Sequence, residues 1–174
     1  HNVISARKNS ALLQDDWTVS RPSRNVIESI LESIRSGRSE DACRAVLQHL
    51  QGRHAGGMEV WDAVHLAAGE LMMQQPGIYG IHTVTSVSAL RYAYETSMDP
   101  ATRLLMLLQG VGWMCHFRNF MAGRPPGLTD IKITEFEPLK TSPKPDEAAE
   151  EIFALIATDT PAAAAKAMSF AHNH

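Results

Sequence analysis

Apolar residues recur at spacings of three and four along most of this chain, a period that predicts helices rather than strands. After a polar, weakly periodic stretch over 1–20, Val26, Ile27, Ile30, Leu31 and Ile34 mark a first helix, opened by Pro22-Ser23 and ended by Gly37. A second follows at once, with Ser39 as N-cap, Glu40 and Asp41 at the positive end of the helix dipole, and Ala42, Val46, Leu47 and Leu50 as its apolar face. The glycine-rich loop 52–57 then breaks the pattern, and a third helix runs from Met58 to Gln75, where Pro76-Gly77 stops it. On it Trp61, Val64, His65, Ala68, Leu71 and Met72 share one face.

Residues 78–96 are rich in β-branched side chains, yet their small and apolar positions repeat every four. A lone strand over 79–87 would leave its backbone groups without partners, so a helix is expected, with Ile78, His82, Ser86, Ala89 and Ala93 as a narrow stripe facing a neighbour. Asp99-Pro100 combines an N-cap with proline at the first helical position and starts a helix to Met121, along one side of which lie Gln109, Trp113, His116 and Phe120. Prolines and glycines dominate 122–145, a connector with one short extended piece at 131–136. Helices at 146–157 and from Thr160-Pro161 onward complete the chain. The fold class expected is all-α, an array of about six or seven helices packed as antiparallel hairpins in a single domain over 1–174.

Composition narrows the function. With 174 residues and 44% hydrophobic content the chain can bury a core, and its net charge of −3 lacks the basic footprint that phosphate neutralisation requires, so nucleic acid is not expected as a partner. No stretch reaches the roughly 20 apolar residues of a membrane helix, and residues 1–20 lack the apolar centre of a signal peptide. A soluble, cytoplasmic protein is the expectation. Because the chain starts at His1 and ends inside a helical pattern, a piece of something longer is also expected. Cys43 and Cys115 belong to no metal or haem spacing and read as free, buried thiols.

The eight histidines are the feature that rises above a generic helical domain. His1, His49 and His54 read as solvated or terminal. His65, His82 and His116 lie on three different helices in apolar or small-residue surroundings, where an imidazole needs a hydrogen-bond partner, a metal or a catalytic role. Inward side chains from facing helices can build such a site, although no HExxH or repeated Glu-x-x-His is present. Asp62 and Glu70 are candidates to orient an imidazole, with a solvated face as the plainer alternative. Arg91, Tyr92 and Arg118 could clamp a carboxylate or phenolate, or make surface salt bridges. The terminal His172-Asn173-His174 can chelate but lacks the scaffold of a nuclease motif. No GxSxG, GxGxxG or GxxxxGK[ST] occurs, which disfavours hydrolase chemistry and the common nucleotide cradles.

The stretch Trp61-Asp62-Ala63-Val64-His65-Leu66-Ala67-Ala68-Gly69-Glu70-Leu71, then Gly80-Ile81-His82-Thr83-Val84-Thr85, and the terminal Phe170-Ala171-His172-Asn173-His174 resemble the helical, histidine-marked proteins of the questin-oxidase-like family. The resemblance spans 58–121 and the tail. It implies oxidative cleavage of a polycyclic aromatic ring with oxygen and a reduced nicotinamide, and it assigns His65, His82 and His172 to the pocket. The function expected is therefore a small-molecule oxidoreductase acting on a phenolic or polycyclic substrate. Its catalytic candidates are His65, His82 and His116, with Trp61, Trp113, Arg91 and Tyr92 lining the pocket. The cofactor expected is a metal ion, with His65, His82, His116, His172 and His174 as candidate ligands, or a reduced nicotinamide. The alternatives are a non-catalytic helical binding or assembly module, and a metal- or haem-binding protein.

Overall fold

A computed structural model of the chain describes residues 7–135 and 137–173. They form α1 (Arg24–Ser36), α2 (Ser39–Gln51), α3 (Gly57–Gln74), α4 (Ile78–Thr96), α5 (Pro100–Ala122), a 3-10 turn (Ile133–Glu135), α6 (Pro145–Ile156) and α7 (Thr160–Asn173). No strand occurs among the described residues, so the all-α expectation holds. The chain divides into two compact units, His1–Ile131 and Lys132–His174, and the boundary falls within the proline- and glycine-rich connector.

In the first unit the loops between α1 and α2, α3 and α4, and α4 and α5 are two or three residues long, which forces consecutive helices to pack as antiparallel neighbours. α3 is the centre: it contacts α1, α4 and α5, and Val60, Trp61, Ala63, Val64, Ala67, Ala68 and Leu71 are buried along it. α4 approaches it closely because the Gly80 position has no room for a Cβ, which would lie 3.0 Å from Met72 Cα and 2.8 Å from Gln75 O. Thr83 Oγ1 donates to Ala68 O at 2.8 Å across the same contact. Gly110 on α5 does the same work against the Trp61 ring, which a Cβ would meet at 3.2 Å.

The buried face of α4 is Gly80, Thr83, Val87 and Tyr94. The expected stripe of Ile78, His82, Ser86, Ala89 and Ala93 lies on the wrong side of the helix: Ile78, His82 and Ala89 are exposed. Small residues did mark the close approach, in a register set by Gly80 and Thr83.

Helix ends are tied by side chains. Asp99 accepts from Thr102 N at 2.7 Å, as its place before Pro100 predicts. Ser39 is the first helical residue of α2 rather than its N-cap, and its hydroxyl donates to Gly112 O at 3.3 Å. Arg118, read from sequence as a ligand clamp or surface ion, instead donates to Ile34 O and Gly37 O and satisfies the C-terminal carbonyls of α1. Gln75 donates to Met121 O, Arg124 O and Gly127 O, and Gln74 to Ile131 O, so residues 121–131 are fastened to the end of α3. The polar N-terminal stretch also contributes to the core: Trp17 is buried, its ring packs edge-on against Tyr94, and its carbonyl accepts from Gly57 N.

Glu70 is buried, which overturns the reading of it as an imidazole orienter or part of a solvated face. Arg35 of α1 holds it through two hydrogen bonds of 2.9 and 2.6 Å. Glu59, also buried, accepts from Ser20 Oγ at 2.6 Å and from Gly56 N at 2.8 Å.

In the second unit α6 and α7 pack on each other around Ala148, Ala163, Ala165 and Ser169. Lys166 joins them by an ion pair to Glu151 of 2.7 Å, and Leu139 N donates to Ala165 O. Within the expected extended piece at 131–136, residues 133–135 form a helical turn closed by Glu135 N to Lys132 O, since no strand is at hand to pair with. Phe136 lies outside the described residues.

Arg35 is partly exposed and keeps Glu32 at 3.6 Å as a second partner, so the loss on removing Glu70 is that of its charged hydrogen bonds, about 1.5–3 kcal/mol. Glu70→Ala is therefore expected to lower the stability of the first unit by about 2 kcal/mol. Urea unfolding followed by tryptophan fluorescence measures it selectively, because Trp17, Trp61 and Trp113 all belong to that unit. A loss under 1 kcal/mol would show the pair to be dispensable.

Candidate functional site

α3 is covered by α1, α4 and α5, but no helix closes over the strip that carries Met58, Asp62, His65, Leu66 and Gly69, none of which is buried. These positions are three and four apart and so lie on one line along the helix. A cleft of about 560 Å³ opens there, lined by Ile27 of α1, by Asp62, His65 and Leu66 of α3, and by Arg91 of α4. Two apolar side chains thus stand beside one carboxylate, one imidazole and one guanidinium.

His65 is half-buried and its Nε2 is buried without a hydrogen-bond partner in the structure. One turn earlier the fully buried Trp61 has an indole Nε1 in the same condition, and the two rings lie 6.3 Å apart. Buried polar groups without partners are few in folded proteins and cost about 1–3 kcal/mol each, so two on adjacent turns of one helix single out this place.

Burial holds His65 below the usual imidazole range, and the positive charge of Arg91 pushes the same way, against weaker pulls from Asp62 and Glu95. Burial raises the Asp62 carboxyl, with Arg91 opposing. Arg91 donates from Nε to Glu95 Oε1 at 2.8 Å and approaches Met58 Sδ with Nη2 at 4.0 Å, and the residue lines the cleft. At neutral pH the site holds a neutral imidazole, which can accept a proton, beside a guanidinium that can bind an oxyanion.

The other expected site residues lie elsewhere. Trp61 touches His65 but belongs to the core, wedged between Gly110 and Tyr94. Tyr92 is 70% exposed. His82 is exposed because the register of α4 turns it outward, and His116 is exposed because α5 buries Leu104, Leu107, Val111, Met114 and Cys115 instead. Trp113 is 40% exposed and forms an outer aromatic row with His116 and Phe117. The expectation of three inward-facing histidines is therefore corrected: one of the three lines the cleft. His172 is exposed near the end of α7, and His174 lies outside the described residues.

Among the described residues no group of three or more His, Cys, Asp or Glu side chains is gathered to hold a metal ion. Cys115 is buried and Cys43 partly so; burial pushes the Cys43 thiol up to about 12, which leaves it without thiolate character at neutral pH. No helix in the described residues is long and apolar enough to cross a membrane.

Ile27 and Leu66 are the cleft residues that the sequence reading did not place there, while Asp62, read as a candidate to orient an imidazole, lines the cleft with His65. A signal existed in part: Asp62, His65, Leu66 and Gly69 follow helical spacing. Which neighbours flank that line depends on α1 and α4, and no local pattern shows it. No family model, curated protein or solved structure matches the chain.

The charges around His65 set a titration test with a sign. Because its folded pKa is depressed, His65 contributes stability above the unfolded value near 6.5, and that stability is lost as pH falls through the folded value. Arg91→Gln is expected to move the NMR titration midpoint of His65 upward, and Asp62→Asn to move it downward. A midpoint at or above 6.5 in the unsubstituted protein would refute the electrostatic description.

Proposed function

We propose that the first unit is a small-molecule binding module whose site is the cleft of Asp62, His65 and Arg91. The observation that carries this reading is the cleft itself, where the His65 imidazole, the Arg91 guanidinium and the Asp62 carboxylate stand beside two apolar side chains. The ligand it suits is a small aromatic or aliphatic body for Ile27 and Leu66, carrying a carboxylate or phenolate for Arg91. Non-catalytic binding is the reading placed first, because a single imidazole and an ion pair suffice for it.

A second reading, an oxidoreductase acting on a phenolic substrate, is favoured by one observation, the depressed pKa of His65. A neutral imidazole beside a cationic group is suited to take a proton from a phenol as general base. Together with the questin-oxidase-like resemblance, this makes a reduced nicotinamide and oxygen the co-reactants to supply in an assay.

Both readings are tested with 4-hydroxybenzoate as probe, followed by tryptophan fluorescence and backbone NMR shifts. Saturable binding is expected, with shifts centred on residues 62–66 and 91. A hydrogen bond to a charged group contributes about 1.5–3 kcal/mol, so Arg91→Gln should weaken binding by about tenfold or more. Binding that is absent, or equal in Arg91→Gln and His65→Gln, overturns the assignment. Consumption of reduced nicotinamide that depends on both the phenol and His65 would promote the oxidoreductase reading over simple binding.

A further inference from the structure

Away from the cleft, the C-terminal end of α2 brings two imidazoles together. His49 lies in the last turn and His54 beyond it, yet their ring centres are 6.2 Å apart, with the planes inclined at 75°. The chain between them is folded in an uncommon way. Arg53 sits at φ 58, in the left-handed region that favours glycine, although Gly52 is the residue before it. At Gly52, with an ordinary φ of −74, a Cβ would stand 2.8 Å from His54 Cε1 and 2.9 Å from His54 Nδ1. Glycine therefore occupies the position that clears space for the His54 ring, and the strained conformation falls on the arginine next to it. The strain is held by Arg53 itself, which donates to Gln14 Oε1 at 2.7 Å and Asp16 Oδ2 at 2.6 Å, and by His54 N, which donates to His49 O at 3.0 Å.

We propose that His49 and His54 form a two-imidazole site for a divalent transition-metal ion of the copper, nickel or zinc class, with water in the other coordination positions. The rings are near the required distance: a metal–nitrogen bond of about 2.0–2.1 Å puts the ion about 3.2 Å from each ring centre, so two rings sharing an ion have centres about 5 Å apart at a tetrahedral angle and up to about 6.4 Å apart when the nitrogens stand opposite one another, and the exposed His54 would turn inward by about 1 Å to complete a tetrahedral site. Nitrogen donors select this class of ion over magnesium or calcium. Ser29 Oγ lies 3.4 Å from His49 Nε2, so the hydroxyl can orient that ring and leave Nδ1 for the metal. In His54 the Nδ1 edge rests against Gly52, so Nε2 would be the ligating nitrogen. The site is at the negative end of the α2 dipole, while the neighbouring Arg53 shares the Asp16 carboxylate with Arg21.

The test is calorimetric titration of the full chain with Ni²⁺ and with Zn²⁺, with His172→Gln and His174→Gln in the background so that the terminal histidines do not contribute. One equivalent is expected to bind. His54→Gln and His49→Gln should each weaken binding by at least about tenfold, on the scale that even outer-shell partners command. Gly52→Ala keeps both imidazoles but puts a methyl where the His54 ring lies, and should weaken binding likewise. Circular dichroism confirms that each variant is folded, and His54, being exposed, is the substitution least able to disturb the fold. Absence of saturable binding, or unchanged affinity in any of the three folded variants, overturns the proposal.

Discussion

The burial of α3 on three sides constrains everything else in the first unit. A helix with Trp61, Val64, Ala68 and Leu71 inside needs neighbours that come close enough to leave no void, because interiors pack at crystal-like density. α4 meets that demand with Gly80 and Thr83, and α5 with Gly110. α1 brings Arg35 to Glu70, so the one carboxylate that burial traps on this side of α3 is neutralised where it stands. Three helices around a fourth cannot cover its whole circumference, and the residual strip from Met58 to Gly69 becomes the cleft. The candidate site is a geometric remainder of the packing, and its chemistry is whatever the sequence placed on that strip.

Several polar groups elsewhere in the unit are tied, although Asp16 Oδ1 and Gln75 Oε1 also lack partners. The carbonyls ending α1 receive Arg118, the carboxylate of Glu59 receives Ser20 and Gly56, and the loop after α5 is fastened by Gln75. A fold that satisfies most of its buried polar groups makes the untied ones informative. Trp61 Nε1 and His65 Nε2 are two of them, and they occupy neighbouring turns beside the open strip.

Helix boundaries were legible in the sequence because their signals are local. Asp99-Pro100, Gly37 and Pro76-Gly77 act through backbone geometry within a few residues, and α4 begins and ends at the residues that the pattern predicts. Register was harder to read. On α4 the i, i+4 rows starting at Ile78 and at Gly80 both carry small and apolar side chains, and the choice between them depends on where α3 lies. His82 fell on the wrong row for that reason, and His116 was misjudged because all sides of α5 are rich in apolar residues, so periodicity hardly distinguishes its buried face. Glu70 and Arg35 are 35 residues apart, and nothing local links them. His65 was recognised because it shares a line with Trp61, while its partners Arg91 and Ile27 come from helices whose placement is a tertiary fact.

Among the described residues, His116, the pair His49 and His54, and His65 stand in three unlike environments, and this separation limits the chemistry each can do. His116 stands in an outer aromatic row, where its ring contributes contact area. His49 and His54 stand at a helix end with ring centres 6.2 Å apart. His65 alone borders a cleft with a charge on either side. A lone imidazole does not gather a metal by itself, but its depressed pKa keeps a nitrogen lone pair available at neutral pH. Arg91 places a guanidinium within the same cleft, the group suited to an anion. A base beside an oxyanion holder is the minimum needed to take up a weakly acidic molecule and keep its conjugate base, so proton transfer to His65 and anion binding by Arg91 would be two parts of one binding event.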